Sequence, residues 1–485
     1  MTRLESATPL HLTDLADARV AVWGYGREGR AALATLRRRF PGKEVTLFCT
    51  AEEANGIGDQ FSNARHSGES RDDEQEQAVR IVTSPPTAAD LFDFDVVIKS
   101  PGISPYKPPV PEAEARGVRF TSGSALWFAE HANARTICVT GTKGKSTVTA
   151  LIAHLLRQSA KRVALAGNIG LSLLDLPDAA GSESSPEPDW WVIELSSFQT
   201  RDFAGAPTVA VINNLYEEHL DWHRTRDRYV ADKLAIAAPA RALVVNALQP
   251  ELLELTAAHP RRHVFGADMG WRVHDGAIWR GRERVLALTE LPLPGDHNAQ
   301  NVCAALAALE AAGEDAVSAA AHVATFHALP HRLQSLGRRE GTEYINDSIA
   351  TTPYATIEAL RSVRDRSVTV IVGGFDRGVD WSPFVAHVTQ EPPQAIVCTG
   401  ANGARIAALL AAVDAPKFSL AEAPTLDTAL ARAREVTPAG GTILLSPGAP
   451  SFDQYHDYAE RGREFARLAG FDPGAIAQIE GLGIS

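Results

Sequence analysis

Short runs of apolar residues recur along the chain, and most are followed by a glycine-rich or polar turn and then by a segment of helical composition. These runs lie at residues 19–23, 45–49, 96–99, 136–140, 190–193, 209–212, 243–245, 368–372, 395–398 and 442–445. They do not alternate between polar and apolar positions, which is typical of parallel strands that are covered on both faces. The pattern therefore predicts an α/β protein built from doubly wound sheets.

The order of these runs predicts three successive α/β domains. We expect a Rossmann-like N-terminal domain over residues 1–122, a P-loop domain over residues 123–327 and a second Rossmann-like domain over residues 328–485. The length of 485 residues agrees with this division, because domains average roughly 150 residues. The polar stretches 51–77 and 181–188 are expected to be surface loops.

Composition and charge exclude several classes of protein. A net charge of −12 argues against non-specific binding of nucleic acid, which requires an excess of Lys and Arg. No stretch approaches the roughly 18 apolar residues of a membrane helix, and the N-terminus lacks the apolar segment of a signal peptide. We therefore expect a cytoplasmic protein with neither a nucleic-acid nor a membrane partner. The four cysteines lie far apart, which predicts reduced thiols rather than disulfides or a zinc site.

The segment GTKGKST, residues 141–147, follows one apolar run and precedes a segment of helical composition. Backbone N–H groups at a helix N-terminus attract anions, so phosphate binding is the predicted role. The glycine spacing is two residues tighter than in the commonest P-loop. In this interpretation Lys145 reaches the β- and γ-phosphates, and Ser146 or Thr147 offers a hydroxyl to Mg²⁺. A glycine turn of purely structural origin is the alternative.

Carboxylate and imidazole side chains follow the next two apolar runs. Glu194 ends the run at 190–193, where a carboxylate needs a cationic partner, although a salt bridge or a helix cap would also explain it. The run at 209–212 leads to EEHLDWH, residues 217–223, which suits a metal site or the orientation of phosphate. Lys233 lies in a helical segment, and the residue pattern assigns it no role.

Two later motifs have both a functional and a structural interpretation. Asn298 and Asn301 share one helix face and suit a purine edge, or else an N-cap and a surface amide. Arg332 lies at the predicted junction of the second and third domains. It suits a transferring phosphate or an interdomain salt bridge.

Two helix starts are predicted in the last third of the chain. In NDSIATTP, Thr352 precedes a proline and predicts an N-cap, which leaves Thr351 and neighbouring amides near a carboxylate. In SPGAPSFDQ, Ser451 and Gln454 have the spacing of a capping box, which would open the helix that Gly470 ends.

The first glycine-rich segment, GYGREG at residues 24–29, fits the dinucleotide-binding pattern G-x-G-x-x-G after a strand. That pattern alone suggests a dehydrogenase. The acidic residue expected at the end of the second strand is missing, because Cys49 and Thr50 stand there. The segment therefore favours a turn that binds the diphosphate of another nucleotide.

Taken in order, eight motifs resemble those of the Mur ligases, and most closely those of the glutamate-adding MurD type. They are GTKGKST, GNIG, ELSSFQ, EEHLDWH, GDHNAQN, LPHR, NDS and SPGAPSFDQ, and the resemblance runs from about residue 20 to 470. It implies an ATP-dependent ligase that phosphorylates the carboxylate of UDP-N-acetylmuramoyl-L-alanine and joins the acyl phosphate to glutamate. It also implies two Mg²⁺ ions and a role in the synthesis of peptidoglycan precursors. We expect a monomer.

The resemblance assigns roles to individual residues. Those implied for the ATP phosphates are Gly141, Thr142, Lys143, Gly144, Lys145, Ser146 and Thr147, and those around the rest of the nucleotide are Asn298, Asn301, His331, Arg332 and Asp347. Metal ligands are implied at Ser146, Thr147, Glu194, His219 and Lys233, the last as a carbamate. Substrate contacts are implied at Ser100, Gly102, Asn168, Ser196, Thr351, Arg377, Ser451, Phe452 and Tyr458. Catalytic roles fall to Lys145, Glu194, His219, Lys233 and Arg332.

The departures from the MurD pattern concern glutamate. Ile349 and Thr352 stand where a lysine and an asparagine are usual, and Tyr458 stands in place of a phenylalanine. Because the lost cation and the changed loops would reposition the α-carboxylate, we expect L-glutamate to be preferred over D-glutamate. The segments GYGREGRAA and GGFDRGVDW resemble the subgroup that adds L-glutamate and relies on a downstream epimerase.

Other functions are weighed against this one. A folylpolyglutamate synthetase is disfavoured by the N-terminal domain with GYGREG. A nucleotide-sugar-binding protein without catalysis is disfavoured by the presence of Lys145, Glu194, His219 and Lys233. A dehydrogenase would have to bind nicotinamide, and the same reaction with D-glutamate is the nearest alternative.

Overall fold

The computed structural model describes residues 9–54, 57, 79–176, 187–293, 295–363 and 366–484. The surface loops predicted at residues 51–77 and 181–188 lie mostly outside the described residues. The chain divides into two compact units. The first contains the residues up to Leu288, Gln300–Val323 and the segment from Gly481, and the second contains Thr289–Ala299 and Ala324–Glu480.

The first unit begins with a five-stranded sheet in which all strands are parallel. Its strands are β1 (Val20–Trp23), β2 (Val45–Phe48), β3 (Val79–Val82), β4 (Val96–Lys99) and β5 (Arg119–Thr121), in the spatial order β3, β2, β1, β4, β5. The helices of this part are α1 (Arg27–Arg39), α2 (Ala88–Leu91), α3 (Val110–Glu114) and α4 (Gly123–Glu130). The strand order is that of a doubly wound sheet.

A second sheet of ten strands completes the first unit. Its strands are β6 (Thr136–Thr140), β7 (Val163–Gly167), β8 (Trp190–Glu194), β9 (Val209–Ile212), β10 (Ala242–Asn246), β11 (Arg262–Phe265), β12 (Trp271–His274), β13 (Ala277–Arg280), β14 (Glu283–Ala287) and the C-terminal strand Gly483–Ile484. The spatial order is β14, β13, β12, β11, β10, β9, β6, β8, β7 and the C-terminal strand. The strands from β12 to β7 are parallel, whereas β13, β14 and the C-terminal strand run antiparallel to their neighbours.

The helices that follow the strands of the second sheet are α5 (Lys145–Gln158), α6 (Ser197–Arg201), α7 (Leu220–His223), α8 (Arg226–Lys233), α9 (Pro250–Leu255), α10 (Asp296–Ala311) and α11 (Ala316–Ala320). Helix α10 is shared by the two units. Among the described helices, none combines the length and the hydropathy that crossing a bilayer requires.

The second unit contains a six-stranded sheet. Its strands are β15 (Gln334–Arg339), β16 (Thr342–Asn346), β17 (Val368–Val372), β18 (Ala395–Thr399), β19 (Ser419–Ala423) and β20 (Thr442–Leu445), in the spatial order β15, β16, β20, β17, β18, β19. Only β15 is antiparallel to its neighbour. The helices are α12 (Pro353–Ser362), α13 (Ser382–Gln390), α14 (Gly403–Ala411), α15 (Leu426–Val436) and α16 (Tyr458–Ala469).

The predicted α/β class with several parallel sheets is confirmed. Every residue of β6, β8, β17 and β18 is buried, because helices cover both faces of these strands. The domain bounds at 122 and 327 stay predictions. Residues 483–484, which the sequence analysis assigns to the third domain, pair with β7 of the second sheet.

The search for apolar runs misses strands at the sheet edges. The strands β3, β5, β14, β15 and β19 each lie at one edge, and each carries exposed or half-buried polar residues. An edge strand faces solvent along one side and does not need an uninterrupted apolar sequence. These strands therefore lack an uninterrupted apolar run. The strands β7, β11, β12, β13 and β16 lie inside their sheets and are missed as well.

The ends of α12 and α16 can be compared with the helix caps that the sequence predicts. Thr352 is the N-cap of α12, since its side chain accepts a hydrogen bond from Ala355 N, and Gly470 ends α16 with φ +85°, so both predictions are confirmed. The capping box at residues 451–454 is wrong. Helix α16 begins at Tyr458 with Asp457 as its N-cap, because Gln454 Nε2 instead donates to a backbone carbonyl, that of residue 424.

The glycines of GYGREG are required by a close turn between β1 and α1. Gly24 has φ +92°, and a Cβ at Gly29 would collide with the carbonyl oxygen of Gly24. Ser100 closes the same turn, because its Oγ donates to Gly24 O at 3.2 Å. The pattern thus brings the ends of β1 and β4 together at one sheet edge.

Candidate active site

The predicted phosphate turn lies between β6 and α5, as the sequence indicates. Gly141 and Gly144 have φ values of +149° and +76°, which L side chains rarely adopt. Gly144 is the N-cap residue of α5, and no side chain of the described residues caps that helix end. A helix end of this kind, which begins with Lys145, Ser146 and Thr147, suits an anion such as phosphate.

Two asparagines that the sequence analysis does not single out hold this turn in place. Asn214 Oδ1 accepts hydrogen bonds from the N–H groups of Thr142 and Lys143, at 2.9 and 2.8 Å. Asn213 Nδ2 donates to Lys143 O at 3.0 Å and to Asn301 Oδ1 at 2.9 Å. Asn301 thus lies beside the phosphate turn. The sequence could have indicated Asn213 and Asn214, because two adjacent amides directly follow the buried strand β9 at its carboxyl end.

Glu194 ends β8 at the same edge of the sheet, in register with Val139 of β6. Its side chain is 1% exposed, and Oε1 accepts a hydrogen bond from Asn168 Nδ2 at 2.7 Å. Glu194 Oε2 is buried and has no hydrogen-bond partner among the residues that the structure describes. A buried carboxylate oxygen without a donor is costly unless a cation meets it. This atom is therefore the strongest structural sign of a bound cation.

Lys233, the last residue of α8, reaches the phosphate turn. Its Nζ donates to Gly141 O at 2.8 Å, and the side chain is 2% exposed. Burial, together with the charges of Lys145 and Lys143 and against the opposing effect of Glu218, lowers the pKa of Lys233 to about 7. About half of the amine is therefore neutral near pH 7. Neither periodicity nor spacing predicts this location, which only the family resemblance suggested.

His219 is less enclosed than the other candidate ligands. It has φ +58° just before α7, and nearly half of its side chain is exposed. Burial of the ring lowers the pKa of His219, although the nearby Glu218 opposes this shift. Glu218 Oε1 in turn accepts a hydrogen bond from Lys143 Nζ at 2.7 Å. His219 is therefore a neutral imidazole that can donate a lone pair to a metal.

The donor set suits Mg²⁺ more than a transition metal. Within the described residues, no group of three or more His, Cys, Asp or Glu side chains converges as a complete metal site. Mg²⁺ does not need one, since it is usually held by one or two carboxylates together with water and substrate phosphates. Glu194 Oε2 and the hydroxyls of Ser146 and Thr147 provide such a partial set.

The turn after β4 and the start of α6 bring in the predicted substrate residues. Gly102 O accepts a hydrogen bond from Trp222 Nε1 at 3.0 Å, close to the helix that follows His219. Ser196 is the N-cap of α6 and shares a capping box with Gln199. The first unit therefore joins, through direct contacts or shared sheet edges, the residues Ser100, Gly102, Gly141, Thr142, Lys143, Gly144, Lys145, Ser146, Thr147, Asn168, Glu194, Ser196, His219, Lys233 and Asn301.

Asp347 follows β16 in the second unit and is buried. Its Oδ2 accepts a hydrogen bond from Ser446 Oγ at 2.8 Å, and its Oδ1 accepts one from Leu333 N at 3.1 Å. Burial raises the pKa of Asp347 to about 7, although these bonds and the charge of Arg332 oppose the shift. Arg332 itself is half-buried.

His331 and Asn298 are both buried within the second unit. The Nδ1 atom of His331 accepts a hydrogen bond from Asn346 Nδ2 at 3.0 Å. Burial lowers the pKa of His331 to about 4, so the ring is neutral. The structure gives this ring a structural partner, and its predicted contact with the nucleotide stays a prediction.

The predicted glutamate residues lie at one edge of the third sheet, on the loops that follow β16, β17 and β20 and, for Tyr458, at the start of α16. Arg377 is exposed, and its guanidinium lies 5.9 Å from the centre of the Phe452 ring. Ser451 is buried, and within the described part of the chain its Oγ has no hydrogen-bond partner. Tyr458 is 40% exposed, and Thr351 is half-buried. The structure places these residues at the same edge of the sheet, and their contact with glutamate stays a prediction.

Arg461, which no motif marks, ties two of these loops together. Its guanidinium donates to Ser348 O at 2.8 Å, to Ala449 O at 3.0 Å and to Pro450 O at 3.2 Å. The side chain is 4% exposed, and burial lowers the pKa of Arg461 to about 10. A buried cation that bonds only to uncharged oxygens adds positive potential beneath both loops.

The raised pKa of Asp347 predicts a pH-dependent gain in stability from Asp347→Asn. A folded-state pKa near 7, against 3.8 in the unfolded chain, means that the carboxyl stabilises the fold fully below about pH 3.8 and that this contribution is lost as pH rises through 7. The loss corresponds to about 4 kcal/mol above pH 7. Asparagine keeps the acceptor for Leu333 N, so we expect the variant to be more stable at pH 8 and the gain to shrink toward pH 4.

Urea unfolding across this pH range measures the effect. Asp414→Asn, at an exposed carboxyl of the same unit, is the matched control and should change little at any pH. A variant at Asp347 that is less stable than wild type at pH 8 would show that the native carboxylate is ionised and stabilising.

Comparison with protein families gives two matches. The Mur ligase middle domain matches residues 139–309, and the glutamate ligase domain of Mur ligases matches residues 331–448. A protein of Xylella fastidiosa named UDP-N-acetylmuramoyl-L-alanine–L-glutamate ligase is 48% identical over 98% of this chain and its own full length. A protein of the same name from Xanthomonas euvesicatoria is 46% identical over the same shares.

Solved structures show the same fold at low identity. The UDP-N-acetylmuramate–alanine ligase of Thermotoga maritima is 19% identical with a TM-score of 0.58, covering 93% of this chain and 99% of that one. The MurF ligase of the same organism, solved with ADP, is 15% identical with a TM-score of 0.54, covering 93% and 95%. Both chains share the α/β architecture described above.

Proposed function

Since this chain belongs to the Mur ligase family, we propose that it joins UDP-N-acetylmuramoyl-L-alanine to L-glutamate in the synthesis of peptidoglycan precursors. It is an amide-forming ligase that depends on ATP. The preference for the L enantiomer is supported by the relatives that are 46% and 48% identical, whose names specify L-glutamate.

The observation that carries this proposal is the arrangement at the carboxyl edge of the second sheet. Lys145 lies at the N-terminal end of α5, where no described side chain forms a cap. Glu194 has a buried oxygen without a partner among the described residues. Lys233 contacts the phosphate turn that precedes α5. Two negatively charged substrates, ATP and a carboxylate, must be held in line there despite their repulsion. Cationic and N–H groups fixed in place lower that repulsion without reorganisation.

The proposed reaction passes through an acyl phosphate. A carboxylate oxygen of the alanyl group attacks the γ-phosphorus of ATP, and the bond from that phosphorus to the bridging oxygen breaks to release ADP. The amine of glutamate, after losing a proton, attacks the acyl carbon, and phosphate leaves with the oxygen that the carboxylate supplied. Lys145 and the first turn of α5 stabilise the charge on the phosphoryl group during transfer.

Glu194, His219 and the hydroxyls of Ser146 and Thr147 are the residues that would hold Mg²⁺. When bound, the ion neutralises charge between the β- and γ-phosphates. The partnerless Oε2 of Glu194 supports this assignment. We extend the proposal to a second ion, which a modified Lys233 would hold.

Carbamylation of Lys233 is proposed from its surroundings. Only a neutral amine adds to carbon dioxide, and a pKa of about 7 keeps a large share of Lys233 neutral at physiological pH. Addition of carbon dioxide to the neutral amine forms a new N–C bond, releases one proton from the nitrogen and leaves a buried carbamate anion. The cations Lys145 and Lys143, which now lower the pKa of the amine, would then stabilise the new negative charge.

The amino acid is proposed to bind at the loop edge of the third sheet. Arg377 would contact the side-chain carboxylate, and the buried Oγ of Ser451 would meet the α-carboxylate. Thr351, Phe452 and Tyr458 would complete the pocket. Asn298, His331, Arg332 and Asp347 are proposed to lie around the nucleotide, while Ser100, Gly102, Asn168 and Ser196 contact the UDP-sugar.

The proposal also includes partners and location. A product with L-glutamate implies an epimerase that acts afterwards wherever D-glutamate is needed. Because ATP and a nucleotide sugar are the substrates, we place the reaction in the cytoplasm. We propose that the chain acts as a monomer.

The test supplies each enantiomer of glutamate to the purified protein with ATP, Mg²⁺ and UDP-N-acetylmuramoyl-L-alanine. We expect faster amide formation with L-glutamate, and phosphate release only when both the nucleotide sugar and glutamate are present. Faster turnover with D-glutamate would contradict the enantiomer preference. Nucleotide-sugar binding without phosphate release would instead favour a binding protein.

A further inference from the structure

We propose that a buried hydrogen-bond chain of Ser197, His223 and Asp232 positions the segments that carry the metal-binding and substrate residues of the first unit. This inference rests on the proposed function for the identity of those residues. The chain itself contributes no reacting group. It acts through Glu194, His219 and Lys233.

The bonds of this chain are short and shielded from solvent. His223 Nε2 lies 3.0 Å from Ser197 Oγ, and His223 Nδ1 lies 2.7 Å from Asp232 Oδ2. Each of the three residues is at most 5% exposed. Because a carboxylate only accepts hydrogen bonds, Nδ1 carries a proton and donates it to Asp232 Oδ2, while Nε2 is bonded to Ser197 Oγ. Every polar atom of the imidazole is thus satisfied within the chain.

Each member stands beside one of the proposed ligands. Ser197 begins α6, three residues after Glu194 and directly after Ser196. His223 ends α7, one helical turn after His219. Asp232 directly precedes Lys233 in α8. The hydrogen-bond chain therefore connects the helices α6, α7 and α8 close to the proposed metal ligands Glu194, His219 and Lys233.

A fourth segment joins the chain from the first sheet. Tyr106 OH donates to Asp232 Oδ1 at 2.7 Å and accepts a hydrogen bond from Arg201 Nε at 3.0 Å. Ser104 Oγ donates to Trp222 O at 2.6 Å, one residue before His223. Ser100 and Gly102, which are proposed to contact the UDP-sugar, lie just before Ser104 and Tyr106 in the chain. The same network therefore positions both the nucleotide-sugar side and the metal side of the site.

The order Ser, His, Asp also occurs in hydrolases, where the serine attacks a substrate. Here Ser197 is 3% exposed, and its Oγ is enclosed with His223 inside the unit. A substrate carbonyl cannot approach an oxygen that solvent does not reach. The arrangement therefore holds geometry and does not supply a nucleophile, as is usual for groups that orient metal ligands.

The test compares His223→Phe with His223→Gln and Ser197→Ala. Phenylalanine keeps the ring shape among Phe198, Trp222 and Tyr229 but removes both bonds, whereas glutamine retains a donor and an acceptor. We expect His223→Phe to weaken binding of Mn²⁺ in the presence of ADP by about 10-fold and to lower kcat by about 10- to 100-fold. We expect His223→Gln to recover most of both losses and Ser197→Ala to be intermediate.

His154→Phe is the matched control, because His154 is also buried and bonded, with Nε2 at 3.1 Å from His322 O. It should lower the melting temperature comparably and leave Mn²⁺ binding unchanged. Mn²⁺ binding is measured by electron paramagnetic resonance, and the rate of amide-bond formation is measured in a separate assay. Unchanged Mn²⁺ affinity in both His223→Phe and Ser197→Ala would overturn the inference. Absence of ligation by the wild-type protein would overturn the proposed function instead.

Discussion

We expect the Lys145→Ala variant to form the amide bond about 1,000-fold more slowly than the wild-type protein. Lys145 opens a helix whose N-terminus has no side-chain cap, and its Nζ donates to Thr142 O within the phosphate turn at 3.0 Å. Lys143 cannot replace it, because Lys143 Nζ pairs with Glu218 at 2.7 Å. Without Lys145, no ammonium group at this position stabilises the negative charge on the phosphoryl group during its transfer. The rate of ADP release measures the effect.

Lys161→Ala provides the matched control for this experiment. Lys161 follows the other end of α5, and its Nζ pairs with Glu314 at 3.2 Å. The substitution makes the same change in charge at the surface, so the rate should stay within about twofold of wild type. If Lys145→Ala kept more than about a tenth of the wild-type rate, the lysine would not act on the phosphoryl group.

The second large effect is expected at Lys233. We expect Lys233→Ala to lower the ligation rate by about 100-fold or more, because it removes the amine on which a carbamate would form. A small carboxylate such as acetate or formate can occupy the space that is left and supply the missing negative charge. Added carboxylate should therefore restore part of the activity. Rates measured across a series of carboxylate concentrations test this.

Lys233→Arg separates the two roles that a buried cation could have. A guanidinium keeps the positive charge but stays protonated and does not form a carbamate. We expect this variant to be as inactive as Lys233→Ala. Retained activity in Lys233→Arg would show that positive charge is the function of Lys233. Loss in both variants with no recovery by carboxylates would likewise contradict the carbamate.

The sequence predicts many of the central strands and the phosphate turn because their causes are local. A run such as residues 368–372 is buried on both faces, and the glycines of the turn at 141–144 are required by positive φ values. Thr352 is predicted as a cap for the same reason, since it bonds to a residue three positions later. Short-range chemistry of this kind can be read directly from the chain.

The remaining features depend on contacts between distant segments. Lys233 meets Gly141 across 92 positions, and Tyr106 meets Asp232 across 126. No periodicity in either segment indicates those pairs. The capping box at residues 451–454 fails for a related reason, because a tertiary contact of Gln454 replaces the local bond. Family resemblance supplied Lys233, whereas Asn213, Asn214 and Arg461 emerged only from the structure.

The measurement that tests the central claim most directly follows one oxygen atom through the reaction. The alanyl carboxylate of UDP-N-acetylmuramoyl-L-alanine is labelled with a heavy oxygen isotope and incubated with the protein, ATP, Mg²⁺ and L-glutamate. If the carboxylate is activated as an acyl phosphate at the Lys145 turn, the released phosphate carries one labelled oxygen for each amide bond formed. Phosphate without the label would contradict the account.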